Sequence, residues 1–200
     1  MSGLANYLKS RASGRAVTGA MIFAFLVVLV QHAVLIPHFQ AATTFKPFDV
    51  QFPLTKYMIA IQLGAYEETA AAAYLPFVVV DLLLALVSTA ALMLLWAWLF
   101  RAQPNRLFAF LERGAIFLLP VYTLACDIAE NVAFARLIGG LAGANYAGTI
   151  DFAVMIHGVR GALLDLQVIL TVVFVILYSL SVGARQPAGA LRGEVAVDGD

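Results

Sequence analysis

The chain has 200 residues, of which 62% are hydrophobic and 12% charged, and its formal net charge is zero. Ordinary soluble domains are about 45–50% apolar and about 25% charged, so this composition excludes an ordinary soluble fold. A net charge of zero offers no electrostatic basis for binding nucleic acid. The single cysteine, Cys126, excludes an internal disulfide and a cysteine-rich metal site. We therefore expect an all-α integral membrane protein.

The amino-terminal residues 1–15 are polar and carry Lys9, Arg11 and Arg15, and we expect them to form a cytoplasmic segment. The apolar run that follows, residues 16–37, is long enough to span a bilayer, which requires about 20 apolar residues. It is longer than the h-region of a signal peptide, which has about 7–15 residues. We interpret it as a retained first transmembrane helix.

The longest polar interval of the chain, residues 38–71, is interpreted as a partly helical outer loop. Within it, the amphipathic segment KYMIAIQL predicts a short helix that begins near Leu54 or Thr55 and ends at Gly64. The phenylalanines and tyrosines of this interval favour a loop that packs on the helices or lies at the membrane interface.

Three further spans are predicted over residues 72–100, 107–138 and 152–182, which completes a bundle of four transmembrane helices. The polar tail, residues 183–200, is expected to be disordered. Lys and Arg are concentrated in the amino-terminal segment, the second connection and the tail. The positive-inside rule then places both termini in the cytoplasm. We expect a multi-pass protein of the plasma membrane.

The third predicted span is informative because Asp127, Glu130 and Asn131 lie well inside it. On a helix, offsets of three and four residues place these side chains on one face. A carboxylate near the centre of a bilayer costs at least about 2.5–3.5 kcal/mol on insertion scales. We therefore expect this face to meet a polar partner or a water-filled cavity.

The other predicted spans also carry polar side chains, at a similar depth below the outer surface. These residues are Gln31 and His32 in the first span, Asp81 in the second, and His157 and Arg160 in the fourth. Unrelated polar residues would not be expected to lie at one level in four helices. We therefore predict that they meet in one intramembrane cluster.

Charge pairing is the simplest interaction within such a cluster. Arg160 stays protonated in any protein environment, and its candidate partners are Asp81, Asp127 and Glu130. With the deeper Asp165, four acids face one arginine, so the excess must be protonated, paired with a histidine or bound to a cation. Two carboxyl groups that share a small site have separated pKa values, which suits proton transfer.

Three classes of function fit these residues. The first is binding of a lipid-like or small ligand at an outward-facing polar cluster. Its candidate ligand-binding residues are Asp81, Asn131, Arg160 and His32. This hypothesis follows from the tendency of ionisable residues inside a membrane to serve a function.

The second class is an integral membrane enzyme that performs acid/base chemistry on a lipophilic substrate. Its candidate catalytic residues are Asp127 or Glu130 as acid and base, with His157 as their partner. Arg160 would stabilise developing negative charge electrostatically.

The third class is a structural or accessory subunit, because polar side chains also join helices inside membranes. No HxxxH or ExxH spacing indicates a metal site, so none is predicted. The residues do not identify a cofactor, and they leave oligomerisation open. The lipid bilayer is the one partner that the composition requires.

The pattern Asp127-x-x-Glu130-Asn131 resembles that of a group of uncharacterised bacterial four-span membrane proteins. In that group an outer loop carries a Phe-Asp or Leu-Asp segment and a short helix that ends in glycine. A tyrosine then precedes an intramembrane aspartate by about seven residues. The segment FDVQF, the predicted helix ending at Gly64, and Tyr74 with Asp81 are similar.

The resemblance covers roughly residues 36–182 and implies the four-span topology, a bacterial inner membrane and a shared polar centre. It implies no established activity. This sequence departs from the group at two points. A basic residue before the tyrosine is absent, and His157 and Arg160 stand where the group has a threonine and a lysine.

Overall fold

The computed structural model describes residues 2–67, 69–102, 106–113, 116–140 and 143–183. All regular secondary structure in these ranges is helical, as the composition predicted. The helices are α1 (Ser2–Arg11), α2 (Gly14–Thr43), α3 (Lys56–Ala65), α4 (Thr69–Ala102), α5 (Arg106–Arg113), α6 (Leu118–Ile138) and α7 (Tyr146–Gly183). Short 3₁₀ turns lie at Phe48–Val50 and Gly143–Asn145.

Four helices, α2, α4, α6 and α7, are long and apolar enough to cross a membrane. The mean hydropathies of their most apolar windows are 2.4, 2.5, 1.3 and 2.3, in chain order. In α6, 39% of that window is buried inside the protein, against 11–17% in the other three. Helix α6 is therefore the central helix, and the others direct most of their apolar surface outward, as a multi-pass membrane protein does in lipid.

The third predicted span is wrong as a single helix over residues 107–138. Helix α5 ends at Arg113, and α6 begins only at Leu118. The sequence near this break, Glu-Arg-Gly, combines two charges with glycine, a poor helix former. Because apolar residues lie on both sides of the break, a hydropathy profile does not show it.

The other predicted boundaries shift outward. Helix α2 continues beyond residue 37 to Thr43, so the predicted outer loop of residues 38–71 is shorter than expected. The amino-terminal segment, given no secondary structure in the prediction, forms helix α1. The fourth long helix begins at Tyr146, ahead of the predicted residue 152. The tail beyond residue 183 lies outside the described residues.

Helix α2 contains a π-helical stretch at Gln31–Leu35, in which the N–H of Ile36 bonds to the carbonyl of Gln31, five residues back. Pro37 follows directly and lacks the N–H that would continue the α-helical pattern. A π stretch adds a residue to one turn and so changes which side chains face inward. Here Gln31 is buried and His32 is exposed.

Two separate apolar cores hold the long helices together. The first lies at the end of the helices where residues 44–67 connect α2 to α4, which we call the loop end. The second lies at the opposite end, where α1 and α5 pack, which we call the terminal end. The fully buried aromatic residues are Phe39, Phe48, Phe77 and Phe134 in the first core, and Trp96, Phe108 and Phe174 in the second.

The segment between α2 and α4 folds over the loop end. The side-chain oxygen of Thr55 accepts a hydrogen bond of 3.2 Å from the N–H of Met58 and caps α3, which confirms the predicted short helix. Gln51 and Gln62 exchange side-chain hydrogen bonds of 3.0 and 2.8 Å. Phe48 packs on Phe134 of α6, with ring centroids 5.1 Å apart. This segment is therefore part of the packed structure.

Removal of the Phe134 ring tests the packing of this segment on α6. Phe134→Ala leaves a cavity under Phe48 and should lower the free energy of unfolding by about 3 kcal/mol. Val132→Ala is the matched control, because Val132 is exposed on the same helix. Unfolding of the purified protein in detergent measures both variants, and equal losses would contradict the packing described.

Candidate intramembrane polar site

Asp81 of α4 is the point where three long helices exchange hydrogen bonds. The side-chain amide of Gln31 in α2 donates to its Oδ1 at 2.5 Å. The amide of Asn131 in α6 donates to its Oδ2 at 2.7 Å and also lies 3.3 Å from Oδ2 of Asp127. Both partners of Asp81 are neutral amides, and both of its oxygens act as acceptors.

Arg160 of α7 joins α6 to the segment at the loop end. Its Nη1 donates to Oδ1 of Asp127 at 2.5 Å, and its Nη2 donates to the backbone oxygen of Asp49 at 3.0 Å. Its Nε lies 2.6 Å from Oε2 of Glu130, an ion pair in which the N–H does not point along the line between the atoms. The Arg160 side chain is only 14% exposed, so these are strong charge contacts.

Glu130 and His157 form the second pair between α6 and α7. Nδ1 of His157 lies 2.6 Å from Oε1 of Glu130, whose side chain is fully buried. The ring of Phe52, from the loop end, lies over His157 with ring centroids 5.4 Å apart. A Cβ at Gly161 would lie 3.2 Å from that ring, so glycine permits this close approach. Nε2 of His157 is buried and has no hydrogen-bond partner among the described residues.

Asp49 adds a fourth buried carboxyl group from outside the spans. The hydroxyl of Tyr74 donates to its Oδ2 at 2.6 Å. Burial raises the pKa of Asp49 well above the ordinary value of 3.8, and the nearby charges of Asp81 and Glu130 add to this effect. The hydrogen bond from Tyr74 and the charge of Arg160 oppose it. Burial at the loop end therefore stabilises the neutral form of the Asp49 carboxyl group relative to the same group in water.

The site contains more acid than base. Its acids are Asp49, Asp81, Asp127 and Glu130, and its bases are Arg160 and His157. Even with the imidazole protonated, two of four ionised carboxylates would lack a counter-charge. Protonation of Asp49 removes one of these charges, and the other requires either a second proton or a cationic partner.

A cavity of about 460 Å³ extends from this site toward the terminal end, between the two apolar cores. Asp81, Asp127 and Arg160 form its polar end. Most of the remaining wall is aliphatic and comes from α4, α6 and α7. This volume lies within the range of about 300–1,000 Å³ that is typical of small-molecule sites.

The cavity opens sideways between α2 and α7. Met21 of α2, and Val168 and Val172 of α7, line it and are also exposed. All three lie in helices of membrane-spanning length, so the opening faces the region that lipid would occupy. Phe52 and the 3₁₀ turn at Phe48–Val50 cover the site at the loop end.

The structure brings together six of the seven predicted site residues, which are Asp81, Asp127, Glu130, Asn131, His157 and Arg160. His32 is the exception and is a correction to the prediction. It is exposed, and its Nδ1 lies 3.1 Å from the carbonyl oxygen of Val28 in its own helix. Its neighbour Gln31, which points about 100° away on the helix, donates to Asp81 instead. Asp165 is also exposed on α7, away from these contacts.

Asp49 and Phe52 are absent from the predicted set, because both lie in the segment predicted as an outer loop. Their one signal in the sequence is the segment FDVQF, which belongs to the resemblance described above. Of the three residues predicted as catalytic, Asp127 alone lines the cavity. Within the described residues, no group of three or more His, Cys, Asp or Glu side chains is placed to hold a metal ion.

The sequence matches no protein-family model, and comparisons with curated proteins and with solved structures find no match. The resemblance to bacterial four-span proteins therefore stays a prediction.

Loss of the buried arginine should destabilise the protein strongly. Arg160→Gln leaves Asp127 and Glu130 buried without their cation, which should cost about 3–5 kcal/mol of unfolding free energy. Arg136→Gln is the matched control on exposed surface and should change stability by no more than about 0.5 kcal/mol. Unfolding in detergent measures both variants. A similar small change in both would show that the ion pairs are not needed for stability.

The raised pKa of Asp49 predicts a pH dependence of stability. At a pH between the ordinary pKa of 3.8 and the raised pKa, Asp49 is protonated in the folded state and ionised in the unfolded state. The free energy of unfolding should therefore fall as the pH rises through that range. Asp49→Asn mimics the protonated carboxyl and should flatten this decline, while Asp165→Asn should retain it. Melting temperatures measured from acidic to neutral pH test this, and an unchanged slope in Asp49→Asn would contradict it.

Proposed function

We propose that this protein is a four-span bundle that binds a lipid-like or small amphiphilic ligand, which enters from the bilayer. The ligand's apolar part would occupy the cavity, and its polar group would meet Asp81, Asp127 and Arg160. One observation carries this proposal, namely that a lipid-facing aliphatic cavity ends on buried charged side chains. Such a shape matches a molecule with one polar and one apolar end.

A purely structural polar network is the less favoured reading. Such a network would be expected to satisfy its charges and to pack without free space. Here the acids outnumber the bases, and about 460 Å³ adjoins the charged groups. A channel or pump is also less favoured, because the charged site lies toward one end of the helices and the terminal end is filled by an aromatic core.

The pair of Glu130 and His157 supports a second candidate, an integral membrane enzyme that performs acid/base chemistry. A carboxylate 2.6 Å from an imidazole is suited to orient that ring for proton transfer. Phe52 covers His157, so a substrate would have to displace this ring to reach it. Ligand binding needs no such movement and is therefore the leading proposal.

The proposed orientation places both termini in the cytoplasm and residues 44–67 outside, in the plasma membrane of a bacterium. Lys9, Arg11, Arg15 and Arg101 support it, because they lie at the terminal end of the long helices.

Obstruction of the cavity tests the proposed function without altering its charges. Ala85→Phe places a ring in the cavity, whereas Ala90→Phe places the same ring on exposed surface of the same helix. Native mass spectrometry of gently extracted protein should detect a co-purified amphiphile in the wild type and in Ala90→Phe. Ala85→Phe should retain at most about a tenth as much, because the ring occupies the space of the ligand. Equal retention by all three, or no ligand in any, would contradict the proposal.

A further inference from the structure

We propose that the cavity selects amphiphiles with a cationic head group, a protonated amine or a quaternary ammonium, over neutral and anionic ones. This inference rests on the proposed function and adds the chemical class of the ligand. It follows from the partners of the three residues at the polar end of the cavity, Asp81, Asp127 and Arg160. Asp127 and Arg160 are paired with each other, whereas the partners of Asp81 are neutral amides.

The guanidinium of Arg160 is already committed to protein partners. All three of its nitrogens are engaged, with Asp127, with Glu130 and with the backbone oxygen of Asp49. An anionic head group would have to compete with these acids for the one arginine. It would also enter beside the carboxyl groups of Asp81 and Asp127, which repel it. Phosphate or carboxylate heads are therefore disfavoured.

Asp81 has no cationic side chain against it among the described residues. Its contacts are the amides of Gln31 and Asn131, which donate hydrogen bonds but bring no positive charge. Each carboxylate oxygen can accept more than one hydrogen bond, so Asp81 keeps accepting capacity on its cavity side. A cation there would form a charge-assisted hydrogen bond or a close ion pair in surroundings of low dielectric constant.

The same cation would offset part of the excess of acid in the site as a whole. Four buried acids, Asp49, Asp81, Asp127 and Glu130, face two bases, Arg160 and His157. A neutral alcohol would leave the excess charge in place, and a metal ion is less suited because the adjoining wall offers a long aliphatic surface that an apolar chain would cover.

A series of head groups on one hydrocarbon chain tests this class directly. The probes are dodecylamine, dodecanol and dodecanoate, with dissociation constants measured on wild-type protein in a neutral detergent by native mass spectrometry. The amine should bind at least about tenfold more tightly than the alcohol, as expected for one charged hydrogen bond, and dodecanoate should bind most weakly. Since the comparison uses wild-type protein, it decides the proposal even where a variant fails to fold.

Three variants locate the effect. Asp81→Asn should reduce the preference for amine over alcohol to about twofold or less, and Asp165→Asn should leave it unchanged. Ala85→Phe should weaken all three probes, since it fills the space for the chain. If the amine and the alcohol bind equally tightly and Ala85→Phe weakens both, the cationic preference is overturned but the proposed function stands. If none of the probes binds in a manner sensitive to Ala85→Phe, both proposals fail.

Discussion

The rest of the structure depends on the need to compensate charge where water is scarce. Arg160 cannot lose its proton under ordinary conditions, so a position inside a membrane-spanning helix requires acids around it. Asp127 and Glu130 of α6 meet that need, and the backbone oxygen of Asp49 engages the remaining nitrogen. The same guanidinium thereby ties α7 to α6 and ties both helices to the segment at the loop end. The contacts that compensate the charge of Arg160 are therefore the same contacts that hold these elements together.

The two apolar cores hold the helices together near their two ends, and the space between the cores is unfilled. The loop-end core fixes Phe48 and α6 beneath the buried acids, and the terminal-end core joins α4 to α7, where the indole N–H of Trp96 donates to Thr171 at 2.9 Å. Between them the helices stay apart and leave the cavity. A polar end held firmly beside an unfilled aliphatic wall is a suitable arrangement for binding an amphiphile, because the site is largely preformed.

Sequence reasoning succeeded where a helix of regular pitch sufficed. The offsets among Asp127, Glu130 and Asn131 predicted one shared face, and all three are buried in contact with other helices. It failed at two other points. The sequence offered both Gln31 and His32, and the structure buries Gln31 and exposes His32. The interruption between α5 and α6 shortened the third span, and its flanking apolar residues hide it in a single sequence.

The sequence by itself determined that the described part of the chain is helical, that it holds four helices of membrane-spanning length, and that charged groups lie within them. It could do so because apolar runs and helical periodicity are local properties. It also required that Arg160 find an acid. Only the tertiary structure decided which acids these are, that Asp49 joins them across more than a hundred residues, and that a cavity opens beside Asp81. Those outcomes depend on how helices distant in sequence approach one another, and no local pattern encodes that geometry.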